Sequence, residues 1–464
     1  MKLKRPQLPK SLFLFLLFSF CVAGSAFSQV VSNAGKEFYV AFGKNDTVTT
    51  VKDFRVGDYT SVELTLRVAA LATTDVTLDF TEQPDLKKTF RVYAGRTYDY
   101  ILNTMEARAS YSGNTTYNPN NNPYNYPGIK KTIHVTSTQP ITLVAVNTAA
   151  RSAEATQVWP VETWGKEYYN IGLPPYNYEH YDCLGFMIIA KEDNTVINNT
   201  FMGQFPGFNP MTLNKGEVYL YANTSTSYSN TNGAYVSGNK PFAFFVSGTR
   251  SLYDANGRAP QWRRRNPAFE QFPSVDTWGT EFILPTNQYE AGFVRIFPSV
   301  GNTTVTVRYT DTPISETFTL PSSTYYPGGY RDIIIDDVTH HGSKGCYISS
   351  DKPIGMAIFN VPSYHQMFGN RGDLGEPGEA WLPPVQQRVR NVLVSPLQLS
   401  ASNVFMSMDH YMSIIVPTAS KLKTTISLNR EAAQPIGNAT GFIWLADNIG
   451  GSGYSFGRFS FGEY

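Results

Sequence analysis

The segment Gly35-Lys36-Glu37-Phe38-Tyr39-Val40 returns as Gly165-Lys166-Glu167-Tyr168-Tyr169 and as Gly279-Thr280-Glu281-Phe282, each later copy directly preceded by a Trp. Such recurrence constrains the fold more than any single motif, because it means one supersecondary unit is built several times. Two half-units alternate along the chain. The first is an apolar strand, a polar turn and a returning Thr/Val strand: GFMIIAKEDNTVINNTF from Gly185, GFVRIFPSVGNTTVTVRYT from Gly292 and, more loosely, the stretches from Val62 and Tyr411. Alternation around a tight Asn- or Asp-bearing turn signals a half-buried antiparallel hairpin. The second half-unit reads HVTSTQPITLVAVN at His134, YVSGNKPFAFFVSG at Tyr235 and YISSDKPIGMAIFN at Tyr347, at spacings of 235 − 134 = 101 and 347 − 235 = 112 residues. In each, Pro140, Pro241 or Pro353 fixes φ and restarts the chain as an apolar strand.

This pattern places half-units near 36–105, 131–172, 184–223, 234–285, 291–336, 346–397 and 410–464. They amount to about seven modules of about fifty residues, the size of a four-stranded propeller blade. The fold class is all-β, expected as a β-propeller of about six or seven blades. Its ring would be closed by the strand at Gly35, the orphaned end of a last blade, which removes an exposed edge. Tandem β-sandwiches, each pairing two half-units as packed sheets, are the alternative. The tail GFIWLADNIGGSGYSFGRFSFGEY shows no second-type half to receive the closing strand.

Composition agrees with strands: Tyr (29) and Phe (30) far outnumber Trp (6) in the chain of 464 residues. A formal net charge of +1, with 16% of residues charged, excludes the global basic field of a nucleic-acid binder. Met1 to Ser28 has a basic start, a short apolar run and small residues before Gln29, the pattern of a signal peptide. No other apolar run is long enough to cross a bilayer. Cys183 and Cys346 remain in the mature chain, either as one disulfide or as two buried thiols.

GKEFYVAF, STQPITLVAVN, QVWPVETWGKEYY, MIIAKEDNTVI, LNKGEVYLY and SGNKPFAFFVSG together resemble the IgGFc-binding protein N-terminal domain family, in particular secreted, Bacteroidetes-like bacterial members. The resemblance covers most of Gly35 to about Asn360. It implies an extracellular binding or adhesion module without known chemistry, and it does not establish immunoglobulin binding. No ligand residue carries across, since the matching motifs are strand and turn scaffolding. Met412 to Tyr464 is similar to the region preceding sorting or gliding-type tails, and the stop at Tyr464 puts covalent anchoring or export through such a tail in doubt.

Catalytic patterns are weak. His134, His180, His365 and His410 stand alone, and the adjacent His340-His341 have no zinc-type spacing. Asp332, Asp336 and Asp337 lack a calcium-loop frame, and Arg371-Gly372-Asp373 fits a turn better than an adhesion tripeptide. The expectation is no enzyme, no metal and no cofactor. A propeller enzyme would need Asp193, Asp276 and Asp351 to converge, but all three lie beside repeat turns. The binding candidates are Tyr111, Tyr117, Tyr124 and Tyr126 in the Asn/Tyr-rich insertion Ser110 to Lys130, and Trp262 with Arg263, Arg264 and Arg265 in a second insertion. Each insertion also reads as an ordinary solvated loop. The expected partner is an extracellular glycoprotein or glycan, not a nucleic acid, for a protein secreted or held at the outer surface. A self-assembling surface component is the alternative.

Overall fold

The computed structural model describes residues 32–43, 45, 50–51, 61–111, 124–149, 152–172, 184–199, 210–222, 231–251, 266–285, 291–310, 312–321, 329–335, 344–361, 378–394, 409–429 and 431–463. The expected leader lies outside them. The first unit contains β1 (Ala34–Val40), β2 (Thr50–Val51), β3 (Ser61–Ala70), β4 (Thr74–Phe80), β5 (Lys87–Val92), β6 (Arg96–Ile101), helix α1 (Thr104–Ser110), β8 (Ile133–Ala149) and β9 (Ser152–Val158). A strand drawn from the insertion, β7 (Tyr124–Ile129), comes between α1 and β8.

The organising element is β8, 17 residues long and bent where Thr138, Gln139 and Pro140 are exposed. Its first half pairs with β1 and β4, and its second half with β3 and β9. The sheet therefore curls over its own core. Alternation does the sorting: Val76, Leu78 and Phe80 of β4 point inward with Leu64, Leu66, Val68, Val135 and Leu143, while Asp75, Thr77 and Asp79 do not.

The same order recurs twice. The second unit has β10 (Glu167–Tyr169), β11 (Leu184–Ala190), β12 (Thr195–Asn199), β13 (Met211–Leu213), β14 (Val218–Ala222), β15 (Tyr235–Gly238), β16 (Phe242–Ser251) and β17 (Asn266–Phe272). Here the bend splits the long strand, giving sheets β10-β15-β12-β13 and β17-β16-β11-β14-β7 around one core. The third unit has β18 (Gly279–Leu284), β19 (Ala291–Pro298), β20 (Thr303–Tyr309), β21 (Ser315–Leu320), β22 (Arg331–Ile335), the bent β23 (Cys346–Val361) and β24 (Gly378–Trp381). A C-terminal region departs from the plan: β25 (Asp409–Pro417), β26 (Thr425–Ile426), β27 (Gln434–Pro435), β28 (Phe442–Ala446) and β29 (Tyr454–Glu463), with β29 central to a three-stranded sheet.

The chain is all-β as expected, but the ring-closing strand is corrected. Phe38 pairs with Val135 and Val40 with Ile133, inside the first unit. β1 therefore opens a unit, and the Trp-Gly copies open the next two, with β10 on β15 and β18 on β23. Among the described residues the pairings show no closed propeller, and the second unit places two sheets around one core. The repeated glycine has a packing cause. A Cβ on Gly35, Gly165 or Gly279 would lie 2.3 Å, 2.3 Å or 2.4 Å from Pro160, Ser274 or Pro384. Those residues start the one-turn 3-10 helices Val161–Thr163, Val275–Thr277 and Val385–Gln387 that end each unit. Each linker is thus seated on the first strand of its own unit.

Successive units share buried sheets. In the second unit Phe186, Ile188, Tyr219 and Phe244 face its own core, while Met187, Ile189, Leu220 and Phe245 face the core of the first. A sheet covered on both faces explains why GFMIIA and FAFFV are apolar without alternation. In the third unit Val294 and Ile296 face inward, and Phe293 and Phe297 face the second. At roughly 1.5–3 kcal/mol for each large side chain buried, these seams hold the units as firmly as their cores do.

Candidate functional site

The seam between the first and second units opens into a cleft of roughly 380 Å³, lined by Tyr39, Asp79, Thr81, His134, Asp193 and Lys215 among others. Pairing of β1 with β8 sets His134 beside Tyr39, their rings stacked 4.3 Å apart at 15°. Glu37, on the same face of β1 as Tyr39, meets His134 Nε2 at 2.9 Å. Burial, with the charges of Glu37 and Asp79, holds the Tyr39 hydroxyl far above its usual range, so it stays a neutral donor.

The opposite wall is built by turns of the second unit. Asp193 Oδ1 accepts the Lys215 backbone N–H at 2.9 Å, and Lys240 Nζ donates to the Asp193 carbonyl at 2.6 Å. Thr132 Oγ1 donates to the Gly216 carbonyl at 2.5 Å and ties the two walls together. Asp79 pairs with Lys87 at 3.0 Å, and both Asp193 and Lys215 are exposed. The cleft so combines carboxylate acceptors, an ammonium and an imidazole with little net charge. That set suits a ligand rich in hydroxyl groups better than a multiply charged one.

The repeat shows what makes this seam different. Ala190 pairs with the residue after Pro241, as Pro298 pairs with the residue after Pro353, which aligns Ile189 with Phe297 and Val218 with Tyr330. At the second seam Phe297 and Tyr330 stack at 5.1 Å, and Phe297 meets Tyr169, the counterpart of Tyr39, at 6.0 Å. The first seam has aliphatic side chains in those places. The cleft lies at this first seam.

Among the sequence candidates, Tyr111 is buried in the first core, and its hydroxyl accepts the Asn45 backbone N–H at 3.1 Å. Its ring is packing, which corrects its place among the contact candidates. Tyr124 and Tyr126 lie on β7, opposite Ala222 and Leu220 of the second unit. Tyr117, Trp262, Arg263, Arg264, Arg265, Cys183, His340, His341 and the Arg-Gly-Asp stretch lie outside the described residues. Cys346 is buried at the start of β23. Asp351 Oδ1 caps a turn by accepting the Thr304 N–H at 2.7 Å, Asp276 sits in a 3-10 turn, and Asp332 is bonded to Arg295. Among the described residues no group of three or more His, Cys, Asp or Glu could hold a metal ion, and no helix is long and apolar enough to cross a membrane. His134 appeared isolated in the sequence. Aligned with Tyr235 and Tyr347, it stands out as the histidine at a position otherwise taken by tyrosine.

The family model for IgGFc binding protein matches residues 29–228 and again 154–462. The chain belongs to the IgGFc binding protein family. The two matches are offset by 154 − 29 = 125 residues, close to the 165 − 35 = 130 between Gly35 and Gly165. Residues 154–228, which take in β10 to β14 of the second unit, fall in both matches to the IgGFc binding protein model. No curated protein and no solved structure matches the chain.

Proposed function

We propose that the protein acts outside the cell as a non-catalytic binding or adhesion protein for a glycoprotein or glycan, with sugar hydroxyls taken by the cleft at the first seam. The observation that carries this reading is the mixed donor and acceptor lining at Asp79, His134, Asp193 and Lys215, in the one seam whose repeat positions lack the aromatic filling. Family membership and the leader-like Met1 to Ser28 support the extracellular part. Tyr124, Tyr126 and the arginines at 263–265 are proposed as flanking contacts. The test is a glycan and glycoprotein array, with immunoglobulin G Fc as one probe, read with the mature chain and with its Lys215→Gln and Asp79→Asn variants. Binding that weakens at least several-fold in both supports the cleft; equal binding by the variants removes the cleft from the reading.

A second reading, self-assembly, is favoured by one observation. After the third linker, residues 388–394 form no strand, and Val389, Val392 and Val394 are 52%, 59% and 44% exposed. Mass that rises with concentration, and falls again in Val392→Asp, would decide for assembly.

A further inference from the structure

The last strands of the three units meet: β9 touches β17, and β17 touches β24. Glu270 of β17 sits at this junction. The Thr156 hydroxyl of β9 bonds its carboxyl group, and its Oε1 accepts the backbone N–H of Trp381 in β24 at 3.2 Å. One carboxyl group therefore touches all three units. Glu379 also lies on β24, paired with Phe359, and both of its carboxyl oxygens are buried without a hydrogen bond. A carboxylate stripped of water and given no donor is costly, so the neutral acid is the stable form.

The charges facing the pair do not rescue ionisation. Arg295 of β19 faces Glu379 and lies 5.5 Å from the Phe359 ring centroid, but its guanidinium is already held by Asp332 at 2.8 Å and by the Gly172 carbonyl. Burial pushes Glu270 up to about 8, two hydrogen bonds opposing the rise. Burial first, then the charge of Glu270, holds Glu379 well above the usual carboxylate range, with Arg295 opposing.

We propose that Glu270 and Glu379 form a proton-operated latch across the seam of the second and third units, closed while both are protonated and loosened when they ionise. Both groups hold protons more tightly in the folded chain than in the unfolded one. Their stabilising effect is complete below about pH 4.5 and is lost as pH rises, by about 8 for Glu270, with Glu379, also held above the usual carboxylate range, adding to the loss. Each proton so linked shifts the folding constant by about tenfold per pH unit across that window.

Trp278 and Trp381 lie in this seam with ring centroids 6.1 Å apart, so intrinsic emission of the mature chain reports on it. Titration from about pH 5 to about pH 10 is expected to give a red shift with a midpoint near 8, absent in Glu270→Gln and weakened in Glu379→Gln. The same midpoint and amplitude in the double Gln variant would overturn the latch, and so would a constant offset at every pH, the mark of a purely packing role. If the variants fail to fold, hydrogen exchange of the unaltered protein at about pH 6 and about pH 9, corrected for intrinsic rates, decides instead. Protection should fall at 266–272 and 378–381 relative to 61–70; equal protection at both pH values rejects the proposal.

Discussion

Arg295 of the third unit donates from Nη1 to the Gly172 carbonyl of the second at 2.5 Å, while Nε and Nη2 each hold Asp332 at 2.8 Å. Its guanidinium also lies 4.4 Å from the Tyr330 ring centroid. The register repeats this device in the first unit as Arg67 with Asp99, bonded at 2.6 Å, and replaces it in the second with Met187 opposite Leu220. There, an apolar pair gives the same packing without desolvating two charges.

Arg295→Ala should accordingly destabilise the chain by about 3 kcal/mol, because it leaves Asp332 half-buried and Gly172 without its donor. Arg295→Met with Asp332→Leu, which copies the second unit, should recover most of that loss. Urea unfolding of the three proteins measures it. A double variant no more stable than the single one would refute the equivalence of these positions.

Gly165→Ala forces a methyl group to within 2.3 Å of Ser274 and 2.6 Å of Asp276, so the linker must lift from the first strand of the second unit. A loss of about 1–3 kcal/mol is expected from such overpacking. Gly378→Ala meets nothing within 4 Å and serves as the control, expected to stay within about 0.5 kcal/mol of the parent. Equal thermal midpoints for both variants would contradict the seated-linker geometry.

How much of this was legible in the sequence follows from the range of each interaction. The hairpins at Val62, Gly185 and Gly292 announce themselves because alternation and turn residues are local. The unit boundary was displaced by half a repeat, since nothing local tells whether GKEFYV ends one unit or opens another. Only its pairing with Ile133–Thr136 decides that. The cleft was out of reach for the same reason, as Glu37 and His134 are 97 residues apart and meet through the pairing of β1 with β8. Nothing in the sequence singles out Glu270, at the end of the second insertion, or Glu379, because burial by a neighbouring unit leaves no local mark.

Tyr111 separates a packing role from a binding role. Tyr111→Phe removes the acceptor for the Asn45 N–H inside the core and should cost about 1 kcal/mol of stability while leaving array binding unchanged. Tyr124→Ala and Tyr126→Ala are expected to reverse the pattern, with binding reduced and a smaller effect on unfolding. Reduced binding by a fully folded Tyr111→Phe protein would restore that ring to the contact surface.

The glutamate of the repeated segment gives the sharpest test of the cleft. Glu37 bonds His134, Glu167 bonds the Tyr235 hydroxyl, and Glu281 accepts from the Tyr347 hydroxyl. One strand position thus pairs an acidic side chain with a ring across β1–β8, β10–β15 and β18–β23, and the histidine occurs where the seam is open. His134→Tyr should keep both the stack on Tyr39 and the bond to Glu37, so unfolding is expected to move by no more than about 0.5 kcal/mol. The larger ring and its hydroxyl would reach into the cleft, and array binding should fall at least several-fold. If the variant binds as the parent does, the imidazole contributes nothing to recognition, and the cleft contacts reduce to Asp79, Asp193 and Lys215.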